Sequence, residues 1–166
     1  AAAHNGITHA AMEASSHGLD QRRLDGVVLR AAGFTNFTQD HLDYHHSFDA
    51  YFDAKAGLFA RVLPEDGTAV INIDDERGVD MAAIAKARGQ QVMTVGRGGG
   101  DLHLAGQRMD ATGQDIRLVY RGKVYQKRLN LIGDFQADNV ALAAGLVIAC
   151  GAEPDHVFDT LPHLVT

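Results

Sequence analysis

The chain has 166 residues, with 15 Lys and Arg against 21 Asp and Glu and a formal net charge of −6. This length suffices for one domain with a hydrophobic core, and the acidic balance gives no support for binding to nucleic acid or to a membrane surface. A single cysteine, Cys150, excludes an intrachain disulfide, and no apolar run is long enough to span a bilayer. We therefore expect a cytoplasmic, monomeric domain with Cys150 in its core.

Hydrophobic periodicity predicts the elements in chain order. Residues 7–13 and 27–34 are typical of buried strands, with a polar loop at residues 15–23 between them. An amphipathic helix follows over residues 47–62, with Ser47 as its N-cap. The later elements are predicted as strands at residues 68–73, 91–95, 102–109, 116–120 and 123–131, and as helices at residues 79–88, 134–150 and 155–163.

The order of these elements predicts the architecture. Alternating strands and helices in the first part imply parallel pairing, whereas the three later strands have tight connections and form an antiparallel meander. The fold class is therefore α/β, a mostly parallel sheet flanked by helices with a small antiparallel three-stranded meander. We interpret glycine-rich residues 96–101 as a flexible connection, because they lead into a strand and not into a helix N-terminus that could cradle phosphate. Asp74, Asp75 and Glu76 are interpreted as caps of the next helix.

Lys55 lies on the apolar stripe of the helix at residues 47–62, between Phe52 and Phe59. Spacing alone leaves two interpretations open. The ammonium group snorkels out of the core, or the side chain is desolvated and its pKa is lowered. A neutral amine can react with carbon dioxide to give a carbamate, an anionic oxygen ligand of the kind that Mg²⁺ prefers.

Polar side chains follow the first two predicted strands. Glu13 ends the first strand, and the second opens into the loop of residues 35–46, which contains His41. Because the carboxyl ends of parallel strands share one edge of a sheet, Glu13, His41 and Lys55 can converge there. With a carbamylated Lys55 they would make a plausible magnesium site, and with an unmodified lysine a poor one.

Five stretches of the sequence match a known family. They are MEASSHGLDQRRL at residues 12–24, FTNFTQDHLDYH at 34–45, AYFDAKAGLF at 50–59, INIDDE at 71–76 and GDFQADNVALA at 133–143. These stretches resemble the ATP-dependent Mur ligases, and among them the branch labelled UDP-N-acetylmuramoyl-L-alanyl-D-glutamate ligase, the tripeptide synthetases of peptidoglycan assembly. The resemblance implies a partial central ATP-binding domain of P-loop type. The family's phosphate loop, N-terminal UDP-binding domain and C-terminal amino-acid-binding domain are expected to lie outside these residues.

The resemblance also implies a reaction, with Mg²⁺ as the cofactor. ATP phosphorylates the D-glutamate γ-carboxylate of UDP-N-acetylmuramoyl-L-Ala-D-Glu (UDP-MurNAc-L-Ala-D-Glu), and the amine of a diamino acid attacks the acyl phosphate. Meso-diaminopimelate is the first expectation for that diamino acid and lysine the second. Such phosphoryl transfer depends on positioning and charge neutralisation. Without the phosphate loop, the 166-residue chain by itself is expected to show no ligase turnover.

Three positions resemble the catalytic and metal-binding residues of the family. Glu13 resembles the carboxylate that binds magnesium near the ATP γ-phosphate, and His41 resembles the histidine ligand of a second magnesium ion. Lys55 resembles the lysine that is carbamylated in this family and helps to hold that ion. The resemblance therefore favours the desolvated interpretation of Lys55.

Four further positions resemble residues that bind the two nucleotides. Ser15, Gln21 and Arg23 resemble residues that bind the UDP-MurNAc-dipeptide. Asn139 resembles the asparagine beside the adenine of ATP, although Gln136 stands where the family pattern has another asparagine.

Two other functions stay open. His41 and His45, with Asp40 and Asp43, could hold zinc in a metal-dependent hydrolase, in which Lys55 would be incidental. We prefer loop-capping and ligand-supporting roles for Asp40, Asp43 and His45. The second alternative is a non-catalytic module that binds a nucleotide-sugar. Dependence on zinc but not on bicarbonate would favour the hydrolase, and binding of the UDP-MurNAc-dipeptide without turnover would favour the module.

Overall fold

The structure is a computed structural model that describes residues 3–37 and 47–165. Within these ranges the chain forms five α-helices and six strands. The helices are α1 (Ser16–Asp20), α2 (Phe48–Gly57), α3 (Gly78–Ala87), α4 (Phe135–Ala149) and α5 (Pro154–Thr160). The strands are β1 (Ala31–Phe34), β2 (Thr68–Asn72), β3 (Gln91–Gly96), β4 (Leu102–Asp110), β5 (Gly113–Tyr120) and β6 (Lys123–Leu129). None of the described helices combines the length and the apolar character that crossing a membrane requires.

The six strands form one sheet in which spatial order follows chain order from β1 to β6. Pairing is parallel from β1 to β4 and antiparallel from β4 to β6. Helices α2 and α3 lie in the connections from β1 to β2 and from β2 to β3, as parallel neighbours require. The predicted fold class, a mostly parallel sheet flanked by helices with an antiparallel three-stranded meander, is therefore confirmed.

Helices cover the sheet on two sides and enclose two hydrophobic cores. One core lies under α4 and α5 and extends across the meander, and the other lies between α1, α2, α3 and the first two strands. Gly145 of α4 meets the sheet so closely that a Cβ atom there would lie 2.9 Å from the Val70 side chain. Glycine at this position therefore lets α4 pack directly on β2.

The helix that carries Lys55 forms as predicted. Ser47 is its N-cap, and the Ser47 hydroxyl accepts a hydrogen bond from the Ala50 N–H at 3.1 Å. The helix continues beyond α2 as a π-helical turn, Leu58–Val62. Buried side chains on both parts face the second core, as the predicted apolar stripe requires, but Phe48 at the start of that stripe is 41% exposed.

Two predictions at the start of the chain are wrong. Residues 7–13 form no strand, and the Ile7 and Met12 side chains are 53% and 55% exposed. β1 is the edge of the sheet, and among the described residues β2 is its only partner, so residues 7–13 lack the ladder that a strand needs. The polar loop predicted at residues 15–23 contains the short helix α1, because Ser15 caps it.

Cys150 is exposed, so its predicted place in the core is wrong. The residue is the C-cap of α4, and the buried face of that helix ends at Gly145. Cys150 therefore lies beyond the part of α4 that packs on the sheet.

Candidate functional site at the carboxyl ends of the parallel strands

A cavity of about 130 Å³ opens where β1, β2 and β3 end. Polar groups from the strand ends and from the first turn of α4 contribute to its wall. They are Thr35, Asn36, Asn72, Asp138 and Asn139. The Asn72 amide donates to the Thr35 carbonyl at 2.7 Å, which ties the end of β2 to the chain leaving β1. Ligands of parallel α/β sheets bind at this edge, so the cavity is the candidate site.

Lys55 lies against the same edge of the sheet. Its Nζ donates to the Asn36 carbonyl at 2.8 Å and lies 5.2 Å from the ring centroid of Tyr51 and 5.9 Å from that of Phe34. Burial lowers the pKa of Lys55, and attraction to the Asp75 and Glu13 carboxylates opposes that shift. The half-buried position and the lowered pKa favour a desolvated lysine over one that only snorkels.

Asp75 joins three parts of the chain at this edge. Its carboxylate accepts the Phe37 N–H at 2.7 Å and the Arg77 N–H at 2.9 Å. The Phe37 ring stacks on Tyr51 of α2 at 4.5 Å, and the Arg77 guanidinium lies over Phe37 and Phe52. The N-cap of α3 is Arg77 and no side chain caps this helix, so the predicted capping by Asp75 and Glu76 is wrong. Asp75 instead fixes the chain that leaves β1.

Asp74 does not cap α3, contrary to the prediction. Its carboxylate accepts the backbone N–H groups of Arg97 and Gly98, at 2.5 and 3.1 Å. Gly99 and Gly100 in the same loop adopt φ angles of 144° and 113°, in the left-handed region that favours glycine. Residues 96–101 therefore connect β3 to β4 as predicted, and Asp74 holds two backbone N–H groups of this turn. The flexibility of the connection stays a prediction.

The Arg97 side chain fixes this turn against α4. Its guanidinium donates from Nε and Nη2 to the two carboxylate oxygens of Asp138, at 2.8 Å each. Such a two-pronged contact orients both partners. Asp138 precedes Asn139, so the pair holds the first turn of α4 at the rim of the cavity.

Of the predicted catalytic and metal-binding residues, Glu13 and Lys55 lie in the described parts of the chain. Glu13 is exposed on the irregular chain before α1, and attraction to its carboxylate opposes the lowering of the Lys55 pKa less than Asp75 does. His41 lies outside the described residues, as do Asp40, Asp43 and His45. Within residues 3–37 and 47–165, no cluster of three or more His, Cys, Asp or Glu side chains could hold a metal ion.

The predicted nucleotide-binding residues fall into two places. Asn139 is exposed on the cavity wall, as expected for a contact to a ligand there. Ser15 caps α1 by accepting the Gly18 N–H at 3.1 Å, Gln21 is the C-cap of the same helix, and Arg23 is exposed just beyond it. These three residues therefore bracket α1 and do not belong to the described lining of the cavity.

Sequence reasoning missed other residues of the site. Asn72 ends β2, and the rule that ligands bind at strand carboxyl ends would have found it. Asn36 acts through its backbone carbonyl, which no side-chain pattern reveals. Arg97 and Asp138 are 41 positions apart, and no local pattern signals their pairing.

Comparisons with known proteins agree with this geometry. The sequence profile of the Mur ligase middle domain matches residues 1–147. The UDP-N-acetylmuramoyl-L-alanyl-D-glutamate–2,6-diaminopimelate ligase of Caulobacter vibrioides is 51% identical over 159 residues, which is 96% of this chain and 33% of that protein. The ligase of the same name from Bradyrhizobium diazoefficiens is 45% identical over 98% of this chain and 34% of its own. The chain thus spans about a third of the length of these relatives.

Solved structures of Mur ligases contain the same fold. A UDP-N-acetylmuramoyl-L-alanyl-D-glutamate–2,6-diaminopimelate ligase superposes with a TM-score of 0.90 at 32% identity, over 98% of this chain and 34% of that chain. The MurF ligase from Thermotoga maritima in complex with ADP superposes with a TM-score of 0.69 at 18% identity, over 84% of this chain and 31% of that one. The second likeness supports the fold alone.

These relatives support the predicted resemblance to Mur ligases and correct the branch label. The label predicted from the sequence, UDP-N-acetylmuramoyl-L-alanyl-D-glutamate ligase, does not name the amino acid that is added. It therefore denotes a ligase for D-glutamate, and that assignment is wrong. The names of the relatives specify 2,6-diaminopimelate instead.

Proposed function

This chain belongs to the family of Mur ligase middle domains, and from that premise we propose that it forms most of the central ATP-binding domain of a longer ligase. The ligase adds meso-diaminopimelate to UDP-MurNAc-L-Ala-D-Glu in peptidoglycan synthesis. The observation that carries the proposal is the 51% identity to a 2,6-diaminopimelate ligase over 96% of this chain. A UDP-binding domain and an amino-acid-binding domain complete the whole protein.

ATP binds with its adenine at the cavity where the parallel strands end. The exposed Asn139 amide suits the donor and acceptor edge of adenine, because an amide offers both kinds of hydrogen-bonding group. The Arg97–Asp138 pair supports this role, since it orients the helical turn that carries Asn139. The position at the carboxyl edge of a parallel sheet is the usual one for a nucleotide.

Glu13 and Lys55 are the proposed ligands of Mg²⁺ among the described residues. An ammonium group beside Glu13 would repel a divalent cation, whereas a carbamate on Lys55 would place two anionic oxygen groups together. The lowered pKa of Lys55 favours that modification, because the neutral amine is the form that reacts with carbon dioxide. His41 is proposed as a further ligand. Bound Mg²⁺ would neutralise the charge of the phosphates during transfer.

Ser15, Gln21 and Arg23 are the proposed contacts of the UDP-MurNAc-dipeptide. The exposed Arg23 guanidinium suits a phosphate or carboxylate group, which it can bind with two parallel hydrogen bonds. In the reaction the γ-carboxylate of D-glutamate takes the γ-phosphoryl group and ADP leaves. The amine of diaminopimelate then forms the amide bond, and phosphate leaves from the acyl carbon. The protein's part in both steps is to hold the reacting groups in line.

The test is an ADP-release assay on the longer protein that contains this chain, with Mg²⁺ and UDP-MurNAc-L-Ala-D-Glu. We expect ADP release that requires the nucleotide-peptide and meso-diaminopimelate, and much weaker release with L-lysine. An enzyme that prefers lysine would contradict the proposed amino acid. Absence of amino-acid-dependent ADP release, or hydrolysis that requires zinc and ignores bicarbonate, would contradict the ligase proposal.

A further inference from the structure

The chain around α1 contains little regular secondary structure. Residues 7–15 belong to no helix or strand, and residues 21–26 form turns. The helix α1 itself contains only Ser16–Asp20. The side chain of Leu19 on this helix is buried, with 1% exposure, in the second core beside α2. Backbone hydrogen bonds from the Arg22 and Arg23 N–H groups, at 3.1 and 2.9 Å, fold the following turn onto α1, but they do not connect that turn to the helix that carries Lys55.

Arg61 supplies a directional contact to that turn. The residue lies in the π-helical turn Leu58–Val62, just beyond the helix that carries Lys55. Its Nη2 donates to the Leu19 carbonyl at 2.8 Å, and its Nη1 forms an ion pair with Asp25. A planar guanidinium can hold two acceptors at once in fixed directions, which a lysine ammonium does less well.

Solvent has limited access to this contact. The side chains of Arg61 and Asp25 are 33% and 34% exposed, and Arg61 Nη1 is itself shielded from water. Because about a third of each side chain is exposed, the ion pair contributes little stability, and its main effect is on the orientation of the two groups. Arg22 also lies 4.0 Å from Asp25, so Asp25 would turn toward Arg22 if Arg61 were removed. Such a change would move the segment that carries Gln21 and Arg23.

We infer that Arg61 is a positioning residue for the UDP-MurNAc-dipeptide, because it fixes the turn after α1 relative to the helix that carries Lys55. The inference rests on the proposed function of Gln21 and Arg23. Arg61 acts on substrate through these residues and does not touch the reacting atoms. The π-helical turn that presents it fits this role, since such turns occur frequently at functional sites.

A kinetic comparison in the whole ligase tests the inference. Arg61→Gln is expected to raise the KM for UDP-MurNAc-L-Ala-D-Glu about tenfold and to leave the KM for ATP within about twofold, since displacing a positioned group by a small distance weakens only the contacts it makes. Arg61→Lys should recover part of that loss, and Asp25→Asn should shift the same KM in the same direction. A merely structural role would not separate the two KM values.

Arg128 provides the matched control on the meander. Its side chain is 31% exposed and pairs with Asp110 and Asp115, so it resembles Arg61 in burial and partners but lies on β6. Arg128→Gln is expected to leave both KM values unchanged. Equal shifts of both KM values in Arg61→Gln, or no shift in either, would overturn the inference.

If Arg61→Gln does not fold, a second measurement on the milder variants tests the inference. Hydrogen exchange of the amides at residues 18–25 should quicken in folded Arg61→Lys and Asp25→Asn enzymes, and unchanged exchange there would also overturn the inference. An inactive wild-type ligase would instead contradict the proposed function, whereas an active wild type with unaffected variants would contradict only the role of Arg61.

Discussion

Asn72, Asp74 and Asp75, at the ends of the parallel strands, have different partners from the charged side chains of the antiparallel meander. In the parallel part, Asn72, Asp74 and Asp75 bind the backbone of loops that leave neighbouring strands. Lys55 likewise binds a backbone carbonyl. These contacts fix loops around a cavity and leave other polar groups exposed toward it.

In the meander, charged side chains bind one another. Lys123 pairs with Asp155 of α5, and Lys127 pairs with Asp159 of the same helix. These pairs attach α5 to β6 over the first hydrophobic core. Substitutions at the strand ends should therefore change activity, whereas equivalent substitutions on the meander should change mainly stability.

Replacement of Lys55 should have the largest effect. Lys55→Met in the whole ligase is expected to lower kcat/KM about 10³-fold, because it removes the amine that can be carbamylated at the proposed metal site. The matched control is Lys127→Met on the meander. The Lys127 side chain is 22% exposed and pairs with Asp159 of α5. The kcat/KM of this control should stay within about twofold of wild type. A Lys55→Met enzyme as active as the control would remove the distinction between the two regions.

Asp75→Asn is expected to reduce kcat/KM about tenfold, an effect typical of groups that support ligands without binding substrate. The substitution removes one of the acceptors for the Phe37 and Arg77 N–H groups and loosens the chain that leaves β1. Steady-state kinetics would measure it, with Asp155→Asn on α5 as the control. The idea fails if the two variants lose activity equally.

Asn139→Ala should act on one substrate only. Loss of a hydrogen bond to adenine is expected to raise the KM for ATP about five- to tenfold and to leave the KM for the UDP-MurNAc-dipeptide unchanged. Asn130→Ala is the control, because the Asn130 amide donates to the Pro162 carbonyl away from the strand ends. If both KM values rise in Asn139→Ala, the residue has a general structural role instead.

The smallest effect concerns stability and pH. Burial lowers the pKa of Lys55 below its ordinary value of 10.5, so between the two values the unfolded chain binds more protons than the folded chain. The free energy of unfolding must therefore gain a contribution that rises with pH through this window. Urea unfolding measures the free energy of unfolding of the 166-residue chain and of its Lys55→Met variant. The value for wild type minus the value for the variant should increase as the pH approaches 10.5. A gap that stays constant, or that closes as the pH rises, would show that the lysine is not desolvated.

Local patterns predicted much of the fold. The helix capped by Ser47 and the meander follow from short-range periodicity and turns, which the sequence displays directly. The predicted strand at residues 7–13 failed because a strand depends on a neighbour, and an apolar run does not specify one. The prediction that Cys150 lies in the core failed for a related reason, since the sequence does not show where α4 leaves the sheet.

The site was predicted less completely than the fold. Family resemblance singled out Glu13, Lys55 and Asn139 as candidates, and the structure places Asn139 on the cavity wall and Lys55 at the same edge of the sheet. The contacts that hold these residues, such as Arg97 with Asp138, join distant parts of the chain. They depend on the final packing of loops against α4, which propensity and spacing do not encode.

Hydrogen exchange of the whole ligase, with and without Mg²⁺ and a non-hydrolysable ATP analogue, tests whether the nucleotide binds at the carboxyl edge of the parallel strands. We expect slower exchange at residues 35–37, 72–77, 96–101 and 135–142, where the parallel strands end and α4 begins. We expect unchanged exchange at residues 110–128 of the meander. Saturating analogue that slows exchange only in the meander, or nowhere at the strand ends, would contradict the assignment of this edge as the nucleotide site.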